Sequence, residues 1–166
     1  MNMIPFKQAV QKVKESTEFQ QWKNKRKNPF LCFGMIIPEK EDCWSIGFYD
    51  PEKDEITNFI AGKTVIKEKP DKVFKTKTME VLSIQLDELK IKSTDALEKA
   101  QAIRKEKYSS ETPIETILII QNLKPFGLIW NITIVTMSLT SINIKINATT
   151  GELLQEKKIS LFSFKK

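Results

Sequence analysis

The sequence predicts an α+β fold built from two copies of one unit, a helix followed by an antiparallel β-meander. Three observations predict it. An alternating run starts at Trp44 (Trp44-Ser45-Ile46-Gly47-Phe48) and again about 86 residues later at Trp130 (Trp130-Asn131-Ile132-Thr133-Ile134). In each half a second alternating run starts 12 residues after the tryptophan, at Ile56 and at Ile142. Upstream of each tryptophan lie an apolar strand (residues 30–37 and 114–121) and a helix with a small apolar seam, Ala9, Val10, Val13 and Ala96, Leu97, Ala100. A helix and three strands each have one apolar face, and bury it only against each other. The implied division is a first unit at 1–66, an extended connector at 67–92 and a second unit at 93–166.

Each element has a local cause. Pro5 suits a first helical turn, and Phe6, Ala9, Val10 and Val13 recur at helical spacing to about Glu15. Ser16 or Thr17 caps a second short helix with Phe19 and Trp22 on one face, which Asn24, Asn28 and Pro29 end. Residues 30–37 are apolar on both alternating faces, as in a central or covered strand, and 44–48 alternate more cleanly. Residues 50–54 turn the chain into the run 56–61 as a solvated turn; their acids, with Asp42, lack the ligand order and glycine of a calcium loop. Along 64–92, Val65-Ile66, Val73-Phe74 and Met79, Val81, Leu82, Ile84, Leu86 predict extended structure paired with a sheet. Ser93-Thr94-Asp95 opens the third helix, with Glu98 answering Asp95 in a capping box. Strands at 114–121 and 128–136 flank a turn at Lys124-Pro125-Phe126-Gly127. The strand from Ile142 has a wet face of Asn143, Lys145 and Asn147, and after a turn at 149–152 the last strand runs 153–162.

Composition narrows the chemistry. With 166 residues and 40% hydrophobic content the chain buries about two thirds of its unfolded surface, as one compact unit or two small lobes, without metal or disulfide. The chain contains no histidine, which removes the commonest general base and zinc ligand. Its five glycines stand singly, so neither a P-loop nor a dinucleotide fingerprint exists. No pair of carboxylates stands out from the 21 acids as a glycosidase pair would. No catalytic, metal or cofactor residue is therefore expected. Cys32 and Cys43 fall several residues apart on the expected hairpin, too far for a disulfide, and read as a reduced, buried apolar pair.

The net charge of +6 suggests nucleic acid until it is divided: of 27 basic residues only Arg26 and Arg104 are arginine, and lysine is spread evenly among the acids. One basic cluster remains, Lys23, Lys25, Arg26 and Lys27, read either as a phosphate or anionic-lipid contact or as favourable charge at a helix C-terminus, the second being preferred. Trp44 and Trp130 hold matching places on apolar faces and read as core, while Trp22 stays open between core and contact surface. Asn131-Ile132-Thr133 and Asn147-Ala148-Thr149 match the glycosylation sequon without a secretion signal to support it. Residues 1–7 lack a signal-peptide pattern, which places the protein in the cytoplasm unless a leader has been removed, and no apolar run is long enough to cross a membrane.

The second half resembles a PepSY-type domain. The stretch Leu89-Lys90-Ile91-Lys92-Ser93-Thr94-Asp95-Ala96-Leu97-Glu98-Lys99-Ala100 is similar to that family's opening helix. Trp130-Asn131-Ile132-Thr133 with Ile144-Lys145-Ile146-Asn147-Ala148-Thr149-Thr150-Gly151-Glu152-Leu153-Leu154 is similar to its closing hairpin, with Asn147 where aspartate is usual. The resemblance covers about residues 86–160 and, more faintly, 4–66. It implies a cystatin-like antiparallel sheet with a helix laid on it, and small non-catalytic modules associated with inhibiting or guiding peptidases. The expectation is a binding or regulatory module that presents a sheet face or edge strand to a protein or peptide partner. The alternative is a nucleic-acid or anionic-surface binder using Lys23, Lys25, Arg26 and Lys27.

Overall fold

The computed structural model describes residues 3–73 and 80–164. Helices α1 (Phe6–Glu15) and α2 (Thr17–Asn24) precede strands β1 (Phe30–Ile36), β2 (Ser45–Asp50) and β3 (Glu55–Ala61), then the short β4 (Val65–Lys67) and β5 (Asp71–Lys72). Helix α3 (Ser93–Lys107) precedes β6 (Pro113–Leu123), β7 (Gly127–Thr136), β8 (Thr140–Asn147) and β9 (Leu153–Ser160). The strands form one nine-stranded sheet in the order β4-β3-β2-β1-β6-β7-β8-β9, with β5 also on β3, and every pairing is antiparallel. The fold is α+β, and the two meanders share one sheet.

The join is the pairing of β1 with β6, where Gly34 faces Ile120 and Ile36 faces Leu118. Above it, all three helices pack on one face of the sheet, and their buried residues belong to a single apolar cluster. Helix α1 lies close because Gly34 has no Cβ: one built there falls 2.1 Å from the Phe6 ring. Trp44 and Trp130 are both 0% exposed, with ring centroids 6.1 Å apart. Each indole N–H donates across 2.9 Å to a carbonyl two residues before a helix, Trp44 to Ile4 and Trp130 to Ile91. Trp22, left open by the sequence, is core: it packs with Phe19, Phe48 and Phe59, and its indole donates to Thr57 Oγ1 at 3.1 Å.

Several local expectations are corrected. Ile56 and Ile142 lie in β3 and β8 but face opposite ways: Ile142 pairs with Ile134 and is buried, whereas Ile56 pairs with Tyr49, and Thr57 takes the buried place opposite Phe48. The turn at 51–54 is one residue longer than that at 137–139, and a shift of one residue reverses a strand's faces. Asp50 is not part of a solvated turn; it is buried, ends β2 and accepts the Glu52 N–H. Helix α3 starts at Ser93 with Lys92 at its N-cap and no side-chain cap, so Asp95 lies inside the first turn and forms no capping box. The start is set upstream, where the Lys90 and Ile91 N–H groups both reach the Ala148 carbonyl. The last strand stops at Ser160, and Leu161–Phe164 form a 3-10 turn. Cys32 and Cys43 are free thiols; Cys32 is buried at the irregularity between Leu31 and Phe33, and Cys43 is only half-buried.

The connector joins the sheet. Beyond β4 and β5, the Ile84 N–H donates to Leu31 O and the Asn122 side chain to Ser83 O, so this stretch fills the gap where β1 and β6 diverge. Phe74 and Met79 lie outside the described residues.

At the far end of α3 a polar cluster replaces apolar packing. Glu111 accepts from the Thr136, Ser138 and Thr140 hydroxyls and pairs with Lys158 at 2.6 Å, while Arg104 donates to the Glu111 carbonyl. These partners hold the Glu111 carboxyl at about 2, below its ordinary 4.5, with Lys158 the largest cause.

Two measurements test this account. Replacing Trp44 or Trp130 by alanine is expected to cost about 3 to 5 kcal/mol in denaturant unfolding, and a loss under about 1 kcal/mol contradicts the packing described. Because the folded-state pKa of Glu111 is depressed, its contribution is fully present above pH 4.5 and is lost as pH falls through about 2. Glu111→Gln should therefore lower the melting temperature at pH 7, and the difference from the wild type should shrink as pH falls below 4.5 and close as it falls through about 2.

Candidate functional site

Among the described residues no helix lies on the second face of the sheet, and a single row of paired residues crosses it from edge to edge. The row runs Ile66, Ile60, Ser45, Met35, Ile119, Asn131, Lys145, Gln155. Its composition changes midway. Over β4 to β6 it is mainly apolar, extended by the half-buried Phe33 and Ile117 and ending at Ile66, 57% exposed on the edge. Over β7 to β9 it is polar. Gly47 serves this face as Gly34 serves the other, since a Cβ there would fall 2.1 Å from the Phe33 ring that lies over it.

The polar half is a linked set of amides around one lysine. Lys145 Nζ donates to Asn143 Oδ1 at 2.5 Å and to Gln155 Oε1 at 3.1 Å. Asn143 donates in turn to Asn131 Oδ1 at 2.7 Å and Thr133 Oγ1 at 3.0 Å. The Phe126 ring, from the β6–β7 turn, stands 5.7 Å from the ammonium. Lys145 is only 9% exposed because Asn143, Gln155 and Phe126 on the same face crowd it, so the wet face expected of β8 is not freely solvated at its centre. No carboxylate pairs with Lys145 among the described residues; burial first and the charge of Lys157 second push its pKa below the usual lysine value.

The basic cluster is divided. Lys23, Lys25 and Lys27 are exposed, but Arg26 is absorbed by the fold. Its Nε lies 3.2 Å from Asp50 Oδ2, its Nη1 donates to Trp22 O, and its guanidinium lies over the Trp22 ring. Asn131 and Asn147, the two sequon asparagines, both work structurally: Asn131 on the open face, Asn147 by accepting the Thr149 and Thr150 N–H groups in the turn. One further hollow, of about 340 Å³, lies between the starts of α1 and α3 over Phe6, Ile91 and Trp130, and Lys7, Lys90 and Lys92 are its charged lining.

The sequence reading missed Lys145 because alternation placed it on a wet face. The available signal was its neighbourhood: a lysine at the middle of a strand, flanked by asparagines at both alternate positions. Among the described residues, no helix is long and apolar enough to cross a membrane and no three or more His, Cys, Asp or Glu side chains are grouped to hold a metal. Comparison with protein-family models, with curated proteins and with solved structures gives no match.

The arrangement predicts that Lys145 adds little to stability, because an unpaired, partly buried charge is costly. Lys145→Met should melt within about 1 kcal/mol of the wild type or above it. A clear loss of stability would mark the ammonium as a structural link.

Proposed function

We propose that the protein is a non-catalytic binding module which presents the open face of its sheet to an extended segment of a protein or peptide partner. The observation that supports this most directly is one-sided cover. A sheet face carrying Phe33, Met35, Ile117, Ile119 and Ile60 beside a hydrogen-bonded amide patch combines apolar contact area with oriented polar groups. The nucleic-acid and anionic-surface reading is weaker, because the only arginine of its basic cluster is already paired with Asp50.

We further infer that the two halves are copies of one ancestral unit of the PepSY type. Matching Ile46 with Ile132 matches their partners Gly34 and Leu118, and two residues on, Ile36 and Ile120. The β1–β6 pairing is then symmetric, since Gly34 faces Ile120 and Ile36 faces Leu118. The matched indole bonds of Trp44 and Trp130 to the chain before each helix agree with this.

A photo-crosslinking amino acid at Ile119 or Ile60, with Gln101 on α3 as control, tests the binding reading in the native cells. Crosslinks to one protein from the two sheet positions and none from the control are expected. Crosslinks to a second copy of the chain would make the face a dimer interface, and equal yields from all three positions would end the reading.

A further inference from the structure

We propose that Lys145 anchors an anion-binding subsite on the open face, taking a carboxylate of an acidic peptide segment laid across β7 to β9, an inference that rests on the open-face reading. The ammonium is held in place before any ligand arrives, since Asn143 and Gln155 each accept one of its hydrogens and leave it a third. The same bonds use only the oxygens of Asn131 and Gln155, so the Asn131 Nδ2 and Gln155 Nε2 donors have no partner among the described residues. Lys157 pairs with Asn143 in the ladder and adds a second positive charge on this face.

Charge selects the ligand. Among the other buried or half-buried cations, Arg26 is matched by Asp50, whereas Arg104, like Lys145, is held by neutral acceptors, Gln101 Oε1 and the Glu111 carbonyl; the charge acting on Lys145 is another lysine's. An unmatched ammonium with amide donors beside it favours an anion, and partial burial strengthens the attraction over that at the exposed lysines. Phe126 walls one side, and the apolar residues of β1 and β6 continue the face, which suits a segment that alternates acidic and apolar side chains.

The test uses the full chain and three blocked pentapeptides, valine alternating with glutamate, with glutamine or with lysine, followed by amide NMR shifts at two salt concentrations. The glutamate peptide is expected to move the signals of Asn131, Asn143 and Gln155, to bind at least ten-fold more tightly than the glutamine peptide, and to weaken with salt. Lys145→Met should weaken it at least ten-fold while leaving the melting temperature unreduced. If the glutamate and glutamine peptides bind alike around Ile117 and Ile119, and Lys145→Met is indifferent, the subsite is overturned and the open-face reading stands. If no peptide moves this face, both fall. Saturation of Lys145 by inorganic phosphate, with no response to the glutamate peptide, would also overturn the proposal by making the site one for small anions.

Discussion

The contact between Trp44 and Trp130 is the constraint on which the rest of the structure depends. The two rings meet over the seam where β1 pairs with β6, so one buried contact ties the meanders together on the helix side while four register pairs tie them within the sheet. Each indole also fixes the carbonyl that precedes a helix, which sets where α1 and α3 begin and therefore which of their faces meets the sheet. Apolar area alone would let a helix slide along such a surface; a buried N–H needs its acceptor, and that fixes position. The small residues of the seams, Ala9, Ala96 and Ala100, then let the helices approach, all at 0 to 1% exposure.

Local signals carried most of the elements. Alternation located the longer strands, and the recurrence at Phe6, Ala9, Val10 and Val13 located α1, because those patterns follow directly from which side chains must be buried. What local patterns do not contain is relative register. The slip between Ile56 and Ile142 comes from one extra turn residue, and the start of α3 comes from contacts with Ala148, more than fifty residues away. The pairing of β1 with β6, and with it one sheet in place of two lobes, is likewise a long-range outcome. The open face was legible only as an expectation of some free sheet surface, and its central lysine was not, because alternation reports which face a side chain points to and not what covers it.

Charge is distributed in a way that composition conceals. The excess of six positive charges includes no large basic stripe, and several ion pairs work as fasteners at the rims. Arg26 with Asp50 fastens the end of α2 to β2; Lys158 with Glu111 and Lys107 with Glu156 fasten the end of α3 and the loop after it to β9. The Glu156 carboxyl is held below its usual range by Lys107 and the Tyr108 hydroxyl, as Glu111 is by its own partners. These pairs place cations against anions on the helix-bearing side, where they close the ends of the core.

Lys145 departs from that pattern on the open face, as Arg104, held by Gln101 Oε1 and the Glu111 carbonyl, does at the end of α3. On the covered face, substitutions are felt as lost packing, because its buried residues form one apolar cluster with those of the helices. On the open face the same strands carry a cation whose neighbours satisfy its hydrogen bonds without neutralising it. Hydrogen bonds to amide oxygens hold the ammonium in place but leave its net charge available, whereas a carboxylate partner would cancel it. Among the described residues, this unneutralised ammonium therefore lies beside an apolar band without a helix over it, and a carboxylate brought to that face from outside would meet a charge that the fold has left uncancelled.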